Sequence, residues 1–324
     1  MLTRPDFMKK QVLFIESDNS KKLKFKNSNL VLVDENDKII LQDTCHKIFV
    51  VFVYGETSIT SVLIKNAKKF GITIVFLNYN LKTYFSINPE NIGNFLLRKK
   101  QYNNEKELDL AKFIVKNKIL NQKRLISELR YKGNEEKEAI KKLESLFEKI
   151  DSVSDNNELM SFEGNASKVF FSVYFKNLPF SGRKPRIKTD IFNLLLDIGY
   201  NFLFNFIEAN LVCYGFDVYC GFYHKFFFQR KSLVCDLIEP FRCIIDKRIR
   251  LSYNLKQIDE KDFGFKNGQY FLKYDFIKKY SRIFLKEILE YKEDIFLFIQ
   301  CFYRNFMKNN SIDKFEFFLI GEKK

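Results

Sequence analysis

Tryptophan is absent from this 324-residue chain, and histidine occurs only twice, as His46 and His224. A site built from several imidazoles is therefore excluded, and any histidine chemistry falls to one of two positions. Glycine (12) and proline (5) are sparse, which argues against long disordered linkers and for a folded chain. The six cysteines (Cys45, Cys213, Cys220, Cys235, Cys243, Cys301) are scattered and contain no C-x-x-C pair. A dense disulfide framework is excluded, and a zinc site on Cys213, Cys220 and His224 is less expected than reduced thiols packed among aromatic neighbours.

Long apolar runs are missing as well. Near the start only residues 12–15 form one, too short for a signal-peptide core. The most hydrophobic region, 191–228, is cut by Asp197, Glu208, Asp217 and Lys225, so it falls short of the ~20 apolar residues that span a bilayer. A cytoplasmic protein without a membrane partner is the expectation.

What is abundant is apolar and basic. Hydrophobic residues make up 46%, with 38 Phe and 16 Tyr, enough for one large or two ordinary domains with cores of their own. Lysine and arginine outnumber aspartate and glutamate by 55 to 40, a net charge of +15. That excess favours a polyanionic partner, nucleic acid first, although a general bias toward Lys, Asn, Ile and Phe would produce it too.

From 11 to 87 short apolar runs (VLFIES, KLKFKN, LVLVD, KIILQD, IFVVFVYG) alternate with polar turn clusters, the pattern of strands. Ser58 is placed to cap a helix over VLIKNAKKF that stops at Gly71, after which ITIVFL and TYFSI predict two strands around Asn78-Tyr79-Asn80. Beyond Pro89 the apolar period becomes roughly 3.6, from NIGNFLLRKKQY through DFIKKYSRIFLKEILEY, interrupted by one hairpin signal at Asn267-Gly268. No repeat or low-complexity segment stands out. The expected fold class is α+β: an N-terminal β-rich domain (1–90) and a larger all-α domain (91–324).

The chemistry concentrates near His224. His46 lies at a strand start with only Asp43 nearby, whereas His224 precedes SLVCDLIEPFR, where Asp236 and Glu239 stand three apart in an apolar setting. On a helix they would share a face and converge, and buried carboxylates need a cation, a proton or a basic partner. The partner could be a divalent metal, or Arg242, Lys231 or Arg230 in an ordinary salt bridge. Glu163, on an otherwise apolar helix face before Gly164, Ala166 and Ser167, adds a third acid. One imidazole with two or three carboxylates suits Mg²⁺ or Mn²⁺ better than thiol-bound zinc, and such an ion suits phosphodiester chemistry. Arg183, Lys184, Arg186 and Lys188 crowd ahead of a helix and could line a phosphate track, or form a solvated loop.

Together, EGNAS at Glu163, RKPRIKTDIFNLLL with Asp190 and Asn193, GFDVYCGFYH ending at His224, SLVCDLIEPFR, and upstream VYGETSITSVLI with GITIVFLN resemble one family along nearly the whole chain: the CRISPR-associated endonuclease Cas-one, the spacer-acquisition integrase. The resemblance implies that Glu163, His224 and Glu239 are metal ligands, with Asp236 an auxiliary catalytic acid, and that Asn193 and the basic segment contact DNA. The family pattern Asp-Pro-x-Asn-small departs here to Asp190-Ile191-Phe192-Asn193-Leu194, and Pro240 is expected to kink its helix. The resemblance further implies a homodimer whose β-rich domain makes the dimer and partner contacts. Two such dimers would flank a dimer of the small protein Cas-two in a heterohexamer. The implied reaction is attack by the 3′-hydroxyls of a short DNA fragment on phosphodiesters at the ends of a CRISPR repeat. A general metal nuclease for branched DNA and a non-catalytic DNA-binding assembly protein are the alternatives.

Overall fold

The structure, a computed structural model, describes residues 2–18, 20–89, 94–185, 187–224 and 227–322. Its N-terminal part opens with a short helix, α1 (Arg4–Met8), and strands β1 (Gln11–Glu16), β2 (Lys22–Lys26), β3 (Asn29–Val33), β4 (Ile39–Thr44), β5 (Ile48–Tyr54) and β6 (Ser58–Ile59). Helix α2 (Ser61–Phe70), β7 (Thr73–Leu77) and β8 (Thr83–Ile87) complete it. The strands form two four-stranded sheets, ordered β1-β5-β7-β8 and β4-β3-β2-β6. In the first, β1, β5 and β7 run parallel and β8 antiparallel.

The seven residues of β5 are all buried, because its sheet is covered on both faces. Val51 and Val53 join the apolar cluster shared with the second sheet and α2, while Phe52 and Tyr54 join the cluster of the helical part. Helix α2 begins two residues later than the Ser58 cap expected from sequence. Ser58 belongs to β6, and the Thr60 hydroxyl accepts from the Leu63 N–H instead. The helix ends at Gly71 in the left-handed conformation, φ 70°, and Asn78 closes the β7–β8 turn with its side chain accepting from the Asn80 and Lys82 N–H groups.

Helices follow: α3 (Phe95–Tyr102), α4 (Glu107–Ser127), α5 (Asn134–Lys149), α6 (Asn156–Tyr174), α7 (Ile191–Tyr214), α8 (Ser232–Leu237) and α9 (Arg242–Asn254). A hairpin of β9 (Phe263–Lys266) and β10 (Gln269–Leu272) turns at Asn267-Gly268, both at positive φ, before α10 (Ile277–Glu290) and α11 (Lys292–Lys308). The strand-rich part followed by a helical part is the architecture read from sequence. The expected boundary between residues 90 and 91 lies outside the described residues.

Three local features position the site. Helix α7 is apolar almost all round and therefore runs through the core; Asp190 caps it by accepting from the Asn193 N–H, so the family departure at 191–194 leaves the helix start intact. Pro240 cannot donate to a helical ladder, and the chain between α8 and α9 tightens to a 3₁₀ turn at Glu239–Phe241. Asn117 and Asn121, one turn apart on α4, hold the chain's last described segment. Asn117 exchanges hydrogen bonds with the Phe318 backbone, and Asn121 accepts from the Ile320 N–H and donates to the Phe318 and Pro240 carbonyls. The segment after α11 thus braces the helix that faces Glu239.

At Gly199 of α7 a Cβ would lie 2.5 Å from Ile245 Cγ2 and 3.0 Å from the Phe284 ring, so α9 and α10 approach over bare backbone. Gly199→Ala is expected to lower the unfolding free energy by about 1–3 kcal/mol through overpacking. Urea denaturation checks this, and an unchanged midpoint would show that α9 and α10 can yield.

Candidate functional site

Lys118 lies on the buried face of α4, with Ile114 and Val115 one turn before it and Asn121 and Gln122 one turn after. Its ammonium donates to Glu239 Oε2 at 2.6 Å and to Glu163 Oε1 of α6. Glu163 also accepts from the Ser167 hydroxyl at 3.1 Å and from the Tyr223 hydroxyl at 3.4 Å. Glu239 has a second cation, with Arg242 Nε 2.9 Å from Oε1. Burial by itself would raise the Glu239 carboxyl, but the Arg242 guanidinium and the Lys118 ammonium outweigh it and hold it at about 2. Burial would likewise depress Lys118, yet Glu163 and Glu239 raise it above its ordinary value, so it stays charged.

Asp236 does not converge with Glu239. It is fully buried and faces the 222–224 segment, where Oδ2 accepts from the Phe222 and Tyr223 N–H groups (2.6 and 3.0 Å) and Oδ1 from the His224 N–H (2.8 Å). Its Oδ1 also lies 2.7 Å from His224 Nδ1. The expectation that the i, i+3 pair shares one point fails because Pro240 ends the regular helix and each acid finds its own partners. Glycine is needed at 221, where a Cβ would stand 2.7 Å from Asp236 Oδ2 and 2.8 Å from Ser232. The result is a segment pinned to one carboxylate, with the imidazole bound through Nδ1 so that Nε2 is its remaining functional nitrogen.

Lys118, Glu163, Glu239, Arg183, Tyr200 and Arg242 line a cleft of about 270 Å³ that also reaches Gln122 and Asp246. The Arg242 guanidinium stacks 4.5 Å from the Tyr200 ring centre, and the Tyr200 hydroxyl donates to Asp246. Burial pushes the Asp246 carboxyl up to about 7, against the opposing pull of the Tyr200 hydrogen bond and Arg242. Three cations thus face two glutamates and one carboxyl that is partly protonated near neutrality, a balance that favours an anionic ligand.

The basic segment forms one rim. Arg183 donates to Asn193 Oδ1 at 3.0 Å and to Asp197 Oδ1 at 2.5 Å, and Lys188 pairs with Asp197 at 2.5 Å. Asn193 is wholly buried. It accepts from the Lys184 N–H and donates to the Gly182 carbonyl and Asp190, so it shapes the loop from inside. The Lys184 side chain is exposed, and Arg186 lies outside the described residues. His46 is an exposed turn residue beside Phe70, remote in sequence from the acids. Lys231, one of the salt-bridge partners considered, pairs with Glu208 instead.

The donor set fits a hard divalent ion, since two carboxylates already gather on one positive charge and the imidazole is braced by a carboxylate, as metal-bound histidines usually are. Among the described residues no three His, Cys, Asp or Glu side chains are grouped closely enough to hold an ion; the Lys118 ammonium stands between the two glutamates. Sequence reasoning did not reach Lys118, Tyr200 or Asp246. The available signal was polarity on apolar helix faces, as in Lys118-Ile119-Leu120-Asn121-Gln122.

Fold and site define an α+β protein whose helical part carries a cleft lined by two glutamates and, on the segment before α8, a histidine braced by a carboxylate. The family profile described as CRISPR associated protein Cas1 matches residues 14–286. The "CRISPR-associated endonuclease Cas1 1" of Thermodesulfovibrio yellowstonii is 32% identical over 225 residues, covering 66% of this chain and 71% of that protein. Among solved structures, a casposase bound to integration product matches with TM-score 0.80 at 18% identity, over 97% of this chain and 96% of that one. A Cas6-RT-Cas1–Cas2 complex matches with TM-score 0.82 at 18% identity, covering 97% of this chain but 36% of the longer one. These two likenesses are of fold. This chain belongs to the CRISPR-associated Cas1 family, the Cas-one family whose motifs it carries.

Two substitutions separate bracing from charge. Asp236→Asn keeps the shape but offers an amide to N–H donors, and is expected to cost about 3 kcal/mol or more in urea unfolding; a loss under 1 kcal/mol would deny Asp236 its bracing role. Asp246 has a folded value of about 7 against an ordinary 3.8, so the fold binds a proton that the unfolded chain releases. Its contribution is complete below about pH 4 and lost as pH rises to 7. Relative to Asp246→Asn, the natural protein should lose roughly 2–4 kcal/mol across that window and no more above it. Parallel stability–pH curves for the two proteins would refute the assignment.

Proposed function

We propose that this chain is the integrase and endonuclease of CRISPR adaptation, joining the 3′-hydroxyl ends of short DNA fragments to phosphodiesters at the ends of a CRISPR repeat. Membership of the Cas1 family supports the reaction class, as do a relative named as an endonuclease and a fold relative caught with an integration product. The observation that carries the reading is the meeting of Glu163 and Glu239 at a cleft with Lys118, Arg183 and Arg242, with the Asp236-braced His224 near enough to act electrostatically on Glu239.

Glu163, His224 and Glu239 would hold Mg²⁺ or Mn²⁺, which when bound neutralises phosphate oxygens, activates the attacking hydroxyl and stabilises the leaving oxygen. Asp236 keeps His224 in one orientation through Nδ1 and stays out of the ligand set, because its oxygens are already taken by three backbone N–H groups. Arg242 and Arg183 meet phosphate oxygens in the cleft; Lys184, with Arg186 and Lys188, extends that contact along the duplex while Asn193 holds the loop's shape. Positioning of two DNA ends supplies much of the acceleration, with no covalent enzyme intermediate.

The fold relative solved in complex with Cas2 supports the same partner here, and the assembly proposed is a homodimer of this chain on each side of a small Cas-two dimer. In this arrangement residues 1–90 make the dimer and partner contacts and 91–324 the chemistry, in the cytoplasm. The glutamates' pairing with lysine and arginine is what a non-catalytic assembly protein would also have, so the test must read chemistry. In half-site integration of a labelled oligonucleotide into repeat DNA with Mn²⁺ and the small partner, Glu163→Ala, His224→Ala and Glu239→Ala should each lose at least about 100-fold in rate. Full activity in any of them would sink the site assignment, and equal rates on repeat and scrambled duplexes would favour a general nuclease.

A further inference from the structure

The position of Lys118 goes beyond that reading while resting on its metal site. Its ammonium is bonded to one oxygen of each glutamate that the proposed ion would need. An ammonium and a divalent ion on the same two carboxylates repel strongly at a few ångströms in a buried site. The two cations are therefore alternatives, and the side chain needs somewhere to go.

The cleft provides that place. Gln122, one helical turn beyond Lys118 on α4, is 3% exposed and lines the same cleft. Its Oε1 is buried and has no hydrogen-bond partner among the described residues, an arrangement that costs stability unless something fills it. A lysine stem is long and freely rotating, and residues four apart on a helix are neighbours, so Nζ can pass from the glutamates to Gln122 Oε1 by rotamer change. The cleft has room for the movement, at about 270 Å³.

We propose that Lys118 is an exchangeable counter-ion. Before metal arrives it neutralises Glu163 and Glu239 and keeps them at the spacing of a shared cation. When a divalent ion takes its place, the ammonium moves to Gln122 and into the cleft, where its remaining N–H groups meet a phosphate oxygen of bound DNA. Lys118 is a positioning residue for the ligands in the first state and a DNA-contacting group in the second. The device adds to Arg242 in compensating buried Glu239 and compensates half-buried Glu163 in the metal-free protein, and couples metal loading to a new positive charge facing the DNA.

The test uses the full chain and reads binding and exposure. Amine acylation of the natural protein, followed by mass spectrometry, should label Lys118 at least about fivefold faster at saturating Mg²⁺ than without it, the low end of coupling between competing ligands. Calorimetric titration with Mn²⁺ should show Lys118→Met binding tighter by a similar factor, and Gln122→Met binding weaker while its metal-free melting temperature is not lowered. If Lys118→Met does not fold, the labelling still decides. A saturable Mn²⁺ site that is lost in Glu239→Ala, with Lys118 labelling unchanged at saturation, would overturn the exchange and leave the metal reading standing. Absence of any saturable site in the natural protein would overturn both.

Discussion

One ammonium between two glutamates from separate elements organises this molecule's cleft. Lys118 comes from α4, Glu163 from α6 and Glu239 from the turn after α8. A carboxylate as buried as Glu239 is tolerable only because Lys118 and Arg242 face it; with the pair broken, an isolated buried charge would cost about 3–5 kcal/mol. The constraint spreads outward. Asn121, one turn from Lys118, holds the Pro240 carbonyl and the chain near Ile320, so the segment after α11 and the turn carrying Glu239 are registered on the same helix as the lysine.

The second carboxylate of the DLIEP segment has a different task. Asp236 gathers three consecutive N–H groups and the His224 ring, which turns an irregular segment into a rigid support without a secondary-structure ladder. A carboxylate behind an imidazole fixes its orientation, a property wanted in a metal ligand. Two acids three residues apart thereby divide the work, one bracing the histidine from behind and the other facing the cleft. Pro240 makes the division possible by ending the helix that would have aligned them.

Positive charge in the cleft is held in place by intramolecular partners. Arg183 and Lys188 share Asp197, Arg242 stacks on Tyr200, and Asp246 sits beneath with a carboxyl that burial keeps near half-protonated at neutrality. Such cations would meet an anionic ligand with little conformational freedom left to lose.

Much of this was legible in the chain itself. The switch from two-residue to 3.6-residue periodicity marked strands before helices, because side-chain alternation is a local property of the backbone. Gly71 and Asn267-Gly268 announced turns that need positive φ. His224, Asp236, Glu239 and Glu163 stood out as rare or polar residues in apolar settings, and family motifs tied them together. Tertiary structure alone decided which partners those residues met. Nothing local tells a lysine in the middle of α4 to face two glutamates 45 and 121 residues away, or separates the roles of Asp236 and Glu239, or turns Asn193 inward. Those outcomes follow from which helix faces are buried against one another, and a buried polar group takes whichever partner packing brings within reach, since leaving it unpaired costs more.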